Sequence, residues 1–122
     1  MLRTTIPPEQ AAALYVAAWN APDADTRFSH LLAATHTAVT LLDPHLGAPL
    51  TTRAALASHI ADIRTRLTAP MEPRGGVEAH HGTFRLRWRF APDGAAPTDG
   101  ETIAHLDPDD GRITHLAHYL DT

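Results

Sequence analysis

The residues best suited to chemistry in this chain are an aspartate followed by a proline, Asp43-Pro44, and a tyrosine in the first helix, Tyr15. Asp43 ends an apolar, strand-like run at 40–42, and Tyr15 lies on the apolar face of its helix. A carboxylate at a strand end and a phenol on a facing helix can converge on one small molecule. They would supply a base and a hydrogen-bond donor, the minimum set for moving a proton next to a carbonyl.

Both residues also have a structural interpretation. An Asp-Pro pair ends strands by accepting backbone hydrogen bonds and opening a turn, and a buried tyrosine finds a partner for its hydroxyl in the core. If Asp43 is a base, its pKa is expected to be raised by apolar neighbours such as Trp88 or Leu116. The residues alone leave both interpretations open.

The elements that must position these side chains change periodicity at Pro70. Before it, Pro7-Pro8-Glu9 predicts a helix start, and the apolar spacing predicts three helices with one strand after the second. The second helix is expected to bury a stripe that includes Phe28. After Pro70 the pattern alternates, most strictly at 84–90, where apolar and aromatic residues face one side and arginines the other. The strands are predicted at 36–42, 77–81, 84–90, 98–106 and 112–120.

This order of elements predicts an α+β fold, with three helices from the N-terminal half packed on one face of a bent, mainly antiparallel sheet. A length of 122 residues predicts one domain covering 1–122. A net charge of −4 without any lysine argues against nucleic acid as a partner. The absence of cysteine excludes disulfides, thiolate metal sites and a cysteine nucleophile.

Targeting signals are absent from the sequence pattern. No run approaches the roughly 20 apolar residues needed to cross a bilayer, and the first ten residues lack an apolar core of signal-peptide length. The sequence therefore predicts a cytoplasmic protein with no membrane partner.

The nine histidines do not form a recognisable metal motif. No two have the four-residue spacing that places two zinc ligands on one helix face, so we expect neither a metal nor another cofactor. His118 is distinct, because strand parity with Leu116 and Leu120 places it on the face that should line a cavity, where it could relay a proton. His59 is expected at the pocket mouth or on a helix flank.

Five segments together carry a resemblance to a known family: 14–20 (LYVAAWN), 40–47 (TLLDPHLG), 53–56 (RAAL), 84–90 (FRLRWRF) and 110–113 (DGRI). Their order and spacing resemble the nuclear transport factor 2-like superfamily, in its SnoaL-like and ketosteroid isomerase-like branch. The resemblance implies a cone-shaped fold that encloses a pocket, and a homodimer packed through the outer sheet face.

The resemblance also implies roles for single residues. Asp43 matches the general base of the ketosteroid isomerases, and Tyr15 matches their oxyanion-hole tyrosine. The protonated acid that those enzymes add in a late strand falls on Thr102 here, or on Ile103 without a gap, and neither is an acid. One of the two oxyanion donors is therefore missing from this chain.

These observations predict a small-molecule pocket with Asp43, Tyr15 and His118 as catalytic residues. The expected substrate-binding residues are Trp19, Phe28, His59, Trp88, Phe90, Thr102 and Leu116. The predicted function is a cofactor-independent isomerase, cyclase or dehydratase that abstracts a proton next to a carbonyl on a small apolar substrate. The alternatives are a non-catalytic binding protein for a small apolar metabolite and a purely structural role for the outer sheet face.

Overall fold

The structure is a computed structural model that describes residues 5–121. Its helices are α1 (Pro8–Trp19), α2 (Ala24–Ala34) and α3 (Arg53–Arg66). Its strands are β1 (Thr35–Leu42), β2 (Met71–Pro73), β3 (Glu78–His80), β4 (Thr83–Phe90), β5 (Thr98–Leu106) and β6 (Ile113–Leu120). The prediction about a signal peptide concerned residues 1–10, of which 1–4 lie outside the described range.

The α+β class predicted from the sequence is confirmed, with three helices packed on an open, curved and mostly antiparallel sheet. The strand order is β1-β6-β5-β4-β2, and β3 pairs with β4 beyond the end of β2. All pairings are antiparallel except that of β1 with β6.

The three helices begin at residues suited to helix starts. Pro8 is the first residue of α1, where the backbone N–H would have no partner within the helix, so the proline costs no hydrogen bond and the start predicted at Pro7-Pro8-Glu9 is confirmed. Asp23 caps α2 by accepting a hydrogen bond from the Thr26 N–H at 2.7 Å, and Thr52 caps α3 in the same way through Ala55.

Strand β4 supplies one wall of the core. Phe84, Leu86, Trp88 and Phe90 are all buried, while the arginines between them lie on the other face. Trp88 fits only because its partner in register on β5 is Gly100. A Cβ on Gly100 would lie 2.4 Å from the indole ring of Trp88, so this glycine makes room for the tryptophan.

The parallel pairing of β1 with β6 is the feature that matters most for the site. Leu41 lies opposite Leu116, and Leu42 opposite Ala117. The next positions along the two strands are Asp43 and His118, and the register therefore brings these two side chains together from distant parts of the chain.

Strand β2 was not predicted, and its position depends on a tertiary contact. The amide of Asn20, just after α1, donates to the Met71 carbonyl at 2.9 Å and accepts from the Met71 N–H at 2.7 Å. The Asn20 amide thus makes the two backbone hydrogen bonds that a neighbouring strand would make with Met71. A three-residue strand held in this way has no periodicity of its own to detect.

The predicted buried stripe of α2 is wrong at Phe28, which is 41% exposed. The helix instead buries Arg27, Leu31 and Ala34. The guanidinium of Arg27 donates to the Ala18 carbonyl at 3.1 Å at the end of α1. This contact turns the helix so that Phe28 faces a shallow surface groove between α2 and α3.

Candidate functional site

A chain of two short hydrogen bonds links the three predicted catalytic residues. Asp43 Oδ2 lies 2.8 Å from Nδ1 of His118, and Nε2 of the same ring lies 2.6 Å from the Tyr15 hydroxyl. The His118 and Asp43 side chains are 4% and 8% exposed, and Tyr15 is fully buried. The imidazole therefore stands between a carboxylate and a phenol, shielded from water.

The proton positions in the two hydrogen bonds of His118 follow from which groups can donate and which can accept. An ionised carboxylate can only accept, so Nδ1 of His118 carries the hydrogen that it donates to Asp43. The Tyr15 hydroxyl then donates to the free lone pair on Nε2, which is its acceptor among the described residues. In this resting arrangement both ring nitrogens of His118 are occupied.

The Asp-Pro turn fixes the Asp43 carboxylate through contacts within the turn. Asp43 Oδ1 accepts a hydrogen bond from the His45 backbone N–H at 2.8 Å, and the ring of His45 lies 3.1 Å from the same oxygen. This local turn holds the carboxylate in one orientation, while the parallel strand pair delivers His118 to its other oxygen.

The pKa of Asp43 differs from the sequence-based expectation. Burial raises it, as predicted, but the hydrogen bonds from His118 and from the His45 backbone outweigh burial and hold the pKa of Asp43 well below its usual range. The expected raised pKa is therefore wrong. Asp43 is a carboxylate, with its charge stabilised by directed N–H groups.

Tyr15 is held in its neutral form. Complete burial raises the pKa of Tyr15 well above its ordinary value, and the negative charge of Asp43 raises it further. The Trp19 indole, one turn later on α1, lowers the pKa of Tyr15 because its N–H is directed at the Tyr15 hydroxyl, although this contact falls short of full hydrogen-bond geometry. Tyr15 is thus a hydrogen-bond donor rather than a source of charge.

A small cavity of about 60 Å³ lies against this chain of hydrogen bonds. Asp43 and His118 form its polar inner wall, and the predicted residues Trp19, Trp88 and Phe90 form its aromatic wall. The mouth and remaining wall are made by His45, Ile63, Leu67, Met71, Thr98 and Leu120. A volume of this size has room for a few water molecules, so a ring-sized ligand requires the mouth residues to move apart.

The other predicted residues have different positions. Tyr15 contacts the side of His118 opposite to Asp43, outside the cavity wall. Thr102 is completely buried, and its hydroxyl accepts a hydrogen bond from the Trp88 indole at 3.0 Å. Leu116 is a core residue that borders a hollow on the outer sheet face, and Phe28 lies away from the site.

His59 is closer to the site than its position on a helix flank suggested. Its side chain is 8% exposed, and Nε2 lies 3.6 Å from Asp43 Oδ2, too far for a hydrogen bond. Arg53 fixes the start of α3 against β1 by donating to the Thr35 hydroxyl at 3.0 Å, which places His59 above the carboxylate.

Unpaired polar atoms are the feature that the sequence analysis missed. Among the described residues, three buried side-chain nitrogens have no hydrogen-bond partner, namely those of Trp19, His36 and His59. Two of the three residues, Trp19 and His59, lie beside Asp43 and His118. The four-residue spacing of Tyr15 and Trp19 placed both on one helix face, but the sequence could not show which indole nitrogen would lack an acceptor.

One group of described residues has the geometry of possible metal ligands, and it lies elsewhere. His36, Asp107 and Asp110 place three ligand atoms within 4.8 Å of one another near the start of β1. The histidines around Asp43 do not meet that criterion. In the part of the chain that the structure describes, no helix is both long and apolar enough to cross a membrane.

No protein-family model matches the sequence, and a search of curated proteins found no match either. Solved structures are similar along almost the whole chain. A proposed isomerase of the SnoaL-like family from Agrobacterium tumefaciens superposes with a TM-score of 0.83 at 24% identity, covering 96% of this chain and 100% of that chain. A proposed polyketide cyclase from Sinorhizobium meliloti has a TM-score of 0.71 at 16% identity, with 93% and 94% covered.

A nuclear transport factor 2-like protein of unknown function from Cytophaga hutchinsonii is similar as well, with a TM-score of 0.70 at 13% identity and 98% and 95% of the two chains covered. The TM-scores and coverage establish the fold, which is the nuclear transport factor 2-like fold of SnoaL-like proteins. At these low sequence identities the similarity leaves the activity open, because proteins with one fold can have many different functions.

Proposed function

We propose that this protein is a cofactor-independent enzyme of the isomerase or cyclase type, which moves a proton next to a carbonyl on a small apolar substrate. The observation that carries the proposal is the buried Asp43–His118–Tyr15 chain, which ends at a cavity with aromatic walls. The names of two structural relatives, an isomerase and a polyketide cyclase, favour the same class of chemistry.

In the proposed reaction Asp43 accepts the proton. Its carboxylate lines the cavity and has lone pairs beyond those used by His118 and His45. The substrate C–H bond breaks, its electron pair moves to the carbonyl oxygen as an enolate, and the proton goes to Asp43. An isomerase returns the proton to a different carbon, whereas a cyclase uses the enolate carbon to form a new bond.

A low pKa in the free protein is compatible with this role once a ligand is bound. Burial already raises the pKa of Asp43 and is opposed by hydrogen bonds. An apolar substrate that fills the mouth removes the remaining water and strengthens the effect of burial. The pKa of the carboxylate then rises in the direction that a proton acceptor requires.

His118 and Tyr15 are proposed to position the carboxylate. His118 donates to Asp43 and keeps one of its oxygens fixed, and Tyr15 fixes the ring of His118 from the other side. In this arrangement Tyr15 acts through His118 rather than by touching the substrate.

The test is proton exchange from a simple ketone. We expect the protein to accelerate replacement of the α-protons of 2-tetralone by deuterium in D₂O, followed by proton NMR. Asp43→Asn should reduce the catalysed rate at least tenfold, because an amide is not a base. Asp62→Asn is the matched control, since Asp62 is an exposed aspartate on α3 paired with Arg66, and it should retain the wild-type rate.

The outcomes separate the two functional classes. Binding of 2-tetralone, detected as a rise in melting temperature, without any catalysed exchange would contradict the enzyme and support the alternative of a binding protein. Equal exchange rates for wild type and Asp43→Asn would contradict the role of the carboxylate.

We also propose that the outer sheet face forms a homodimer. A hollow of about 370 Å³ lies on that face over β1, β5 and β6, and Leu42 and Tyr119 expose 50% and 56% of their surface beside it. Apolar patches of this kind on a sheet face suit a second protein surface. Sedimentation equilibrium should give a dimer for the wild type and a monomer for Tyr119→Arg, and a monomeric wild type would contradict the proposal.

A further inference from the structure

His36, near the start of β1, has a buried ring nitrogen without a hydrogen bond. Its Nε2 atom is one of the three buried side-chain nitrogens that lack a partner among the described residues, although the side chain as a whole is 34% exposed. The other two belong to Trp19 and His59, beside the cavity. A buried nitrogen without a partner destabilises the folded protein, and such an atom is commonly completed by a water molecule or an ion.

Two carboxylate oxygens lie beside this nitrogen. Asp107 Oδ2 is 3.2 Å and Asp110 Oδ1 is 3.4 Å from Nε2 of His36, and one ligand atom from each of the three residues lies within 4.8 Å of the other two. Both distances are short enough for a hydrogen bond. None forms, because neither oxygen lies close enough to the line of an N–H bond on Nε2. The nitrogen thus has two negatively charged neighbours and donates to neither.

The separations match those between the ligands of a four-coordinate zinc ion. Zinc lies about 2.0–2.2 Å from a histidine nitrogen or a carboxylate oxygen, so two such ligand atoms at the tetrahedral angle are roughly 3.4 Å apart. In that arrangement the imidazole nitrogen points at the ion, and the carboxylate oxygens lie to the side of its axis. The N–O distances of 3.2 and 3.4 Å and the missing hydrogen bonds both fit this geometry.

The backbone of β1 is irregular where it presents the histidine. Thr35 pairs with Ile113 of β6, but regular pairing resumes only at Thr40, opposite His115. His36 lies within this interruption. Because irregular stretches of a strand re-aim side chains, the ring of His36 contacts the turn between β5 and β6 instead of a neighbouring strand.

The two aspartates are oriented by backbone hydrogen bonds within that turn. Asp107 Oδ1 accepts from the Asp109 N–H at 2.7 Å, which leaves Oδ2 as the oxygen nearest to His36. Asp110 Oδ1 accepts from the Arg112 N–H at 2.8 Å. A carboxylate oxygen has two lone pairs, so Asp110 Oδ1 can keep this bond and bind a cation as well. Outer hydrogen bonds of this kind orient carboxylates that bind metals.

We propose that His36, Asp107 and Asp110 bind one zinc ion, with a water molecule in the fourth position. A set that includes an imidazole favours zinc over magnesium and calcium, which take oxygen ligands. The spacing of the histidines predicted no metal site, because these ligands come from a strand and a distant turn rather than from one helix. The site lies at the opposite end of β1 from Asp43 and is independent of the proposed enzymatic function.

The ion is structural in this position. It ties the start of β1 to the β5–β6 turn, and Asp110 extends the connection because its backbone carbonyl accepts a hydrogen bond from the Ile6 N–H at 2.9 Å, just before α1. Three segments that are far apart in the chain therefore meet at one ion. Zinc that binds only the folded protein stabilises it.

The experiment is a calorimetric titration of the full chain with zinc chloride. The protein carries no polyhistidine tag and is freed of metal with EDTA, which is then removed by dialysis. We expect one zinc ion per chain, and we expect His36→Gln and Asp110→Asn each to lose at least tenfold in zinc affinity. The matched control is His105→Gln on the outer sheet face, where the rings of His105 and His115 are 6.0 Å apart. It should keep the wild-type affinity.

Thermal stability provides the second readout. Zinc chloride should raise the melting temperature of the wild type and of His105→Gln, and it should not raise that of His36→Gln. Magnesium chloride should have no such effect on any of the three proteins. In EDTA the wild type and His36→Gln should melt at nearly the same temperature, because an ion pair with a partly exposed histidine contributes little. Equal melting in EDTA also shows that the variant is folded.

The outcomes decide between a built site and scattered binding. Loss of zinc affinity in His36→Gln but not in His105→Gln supports the proposal. Equal zinc affinity for the wild type and His36→Gln overturns it, as does an equal loss in His36→Gln and His105→Gln, since either result means an adventitious ion only, held by histidines elsewhere on the surface. His36→Gln should also keep the wild-type rate of 2-tetralone exchange, so this test and that of the proposed function are separate.

Discussion

Strand β1 has a histidine–carboxylate cluster at each end, and the two clusters differ in almost every physical respect. At its C-terminal end, Asp43 and His118 are nearly inaccessible and joined at 2.8 Å. Near its start, His36 lies 3.2 Å from Asp107 and 3.4 Å from Asp110, with its own side chain 34% exposed. The same pair of chemical groups therefore occurs once in the interior and once in a partly exposed cluster, called here the surface cluster, in which Asp110 is buried while His36 and Asp107 are partly exposed.

The carboxylates of the surface cluster accept backbone hydrogen bonds within the turn between β5 and β6. Asp110 accepts from the Arg112 N–H at 2.8 Å and Asp107 from the Asp109 N–H at 2.7 Å. Water and salt screen what remains of their attraction to His36. In the interior cluster the imidazole is fixed on both sides and faces a cavity, and this is why we assign chemistry to one cluster and turn structure to the other.

The largest expected effect comes from removing the buried imidazole. His118→Leu leaves the Asp43 carboxylate and the Tyr15 hydroxyl without their partner, and we expect a loss of about 3 kcal/mol in the free energy of unfolding. Urea denaturation measures it. His36→Leu is the matched variant from the surface cluster, and an equal loss there would remove the contrast between the two ends of β1.

The next effect compares two glycines, one near each cluster. We expect Gly100→Ala and Gly111→Ala each to lose about 2 kcal/mol of stability, because the new Cβ would meet the Trp88 ring at 2.4 Å and the Ile6 carbonyl oxygen at 2.2 Å. Gly111 also has a φ of +77°. Only Gly100→Ala should change the indole NMR signal of Trp88, and a changed signal in Gly111→Ala would show that the two regions are coupled.

A smaller effect concerns acid stability. The pKa of Asp43 is lowered in the folded protein, so its charge stabilises the fold above the unfolded pKa of about 4 and this contribution is lost as the pH falls towards the folded pKa. Asp43→Asn should remove on the order of 1 kcal/mol of the stability difference between pH 7 and pH 2. Urea titrations at several pH values measure it, and parallel pH profiles for the two proteins would be the contrary result.

The smallest effect belongs to the surface cluster. His36→Gln should change the free energy of unfolding by about 0.5 kcal/mol or less at low salt, and by still less at 1 M NaCl. A loss that is large and independent of salt would mean that His36 has a buried role comparable to that of His118.

Local patterns predicted the frame of the molecule well. The alternation of β4 depends on neighbours along the chain, and this strand formed where expected. The caps of α2 and α3 are equally local, because each joins residues three positions apart. Strand parity also placed His118 on the inner face. Strand β2 was missed because it depends on Asn20, about fifty residues earlier, and Phe28 was placed wrongly because a contact from Arg27 decides the orientation of its helix.

Electrostatic predictions were less successful for the same reason. The apolar neighbours of Asp43 are visible in the sequence, and they led to the expectation of a raised pKa. The donor that reverses the direction is 75 residues away, and nothing local indicates that its ring nitrogen will point at the carboxylate. The unpaired state of the Trp19 N–H is likewise a property of the assembled core.

The parallel pairing of β1 with β6 has a consequence for how the protein is synthesised. The carboxylate of Asp43 leaves the ribosome 75 residues ahead of its imidazole partner and remains hydrated until the final strand docks. Helices α1 to α3 and the antiparallel strands can assemble first through nearer contacts. Because β6 lies between β1 and β5 in the sheet, a nascent chain that lacks β6 has neither the strand that joins β1 to the sheet nor the imidazole partner of Asp43, and hydrogen exchange during refolding should find protection at residue 118 among the last to appear.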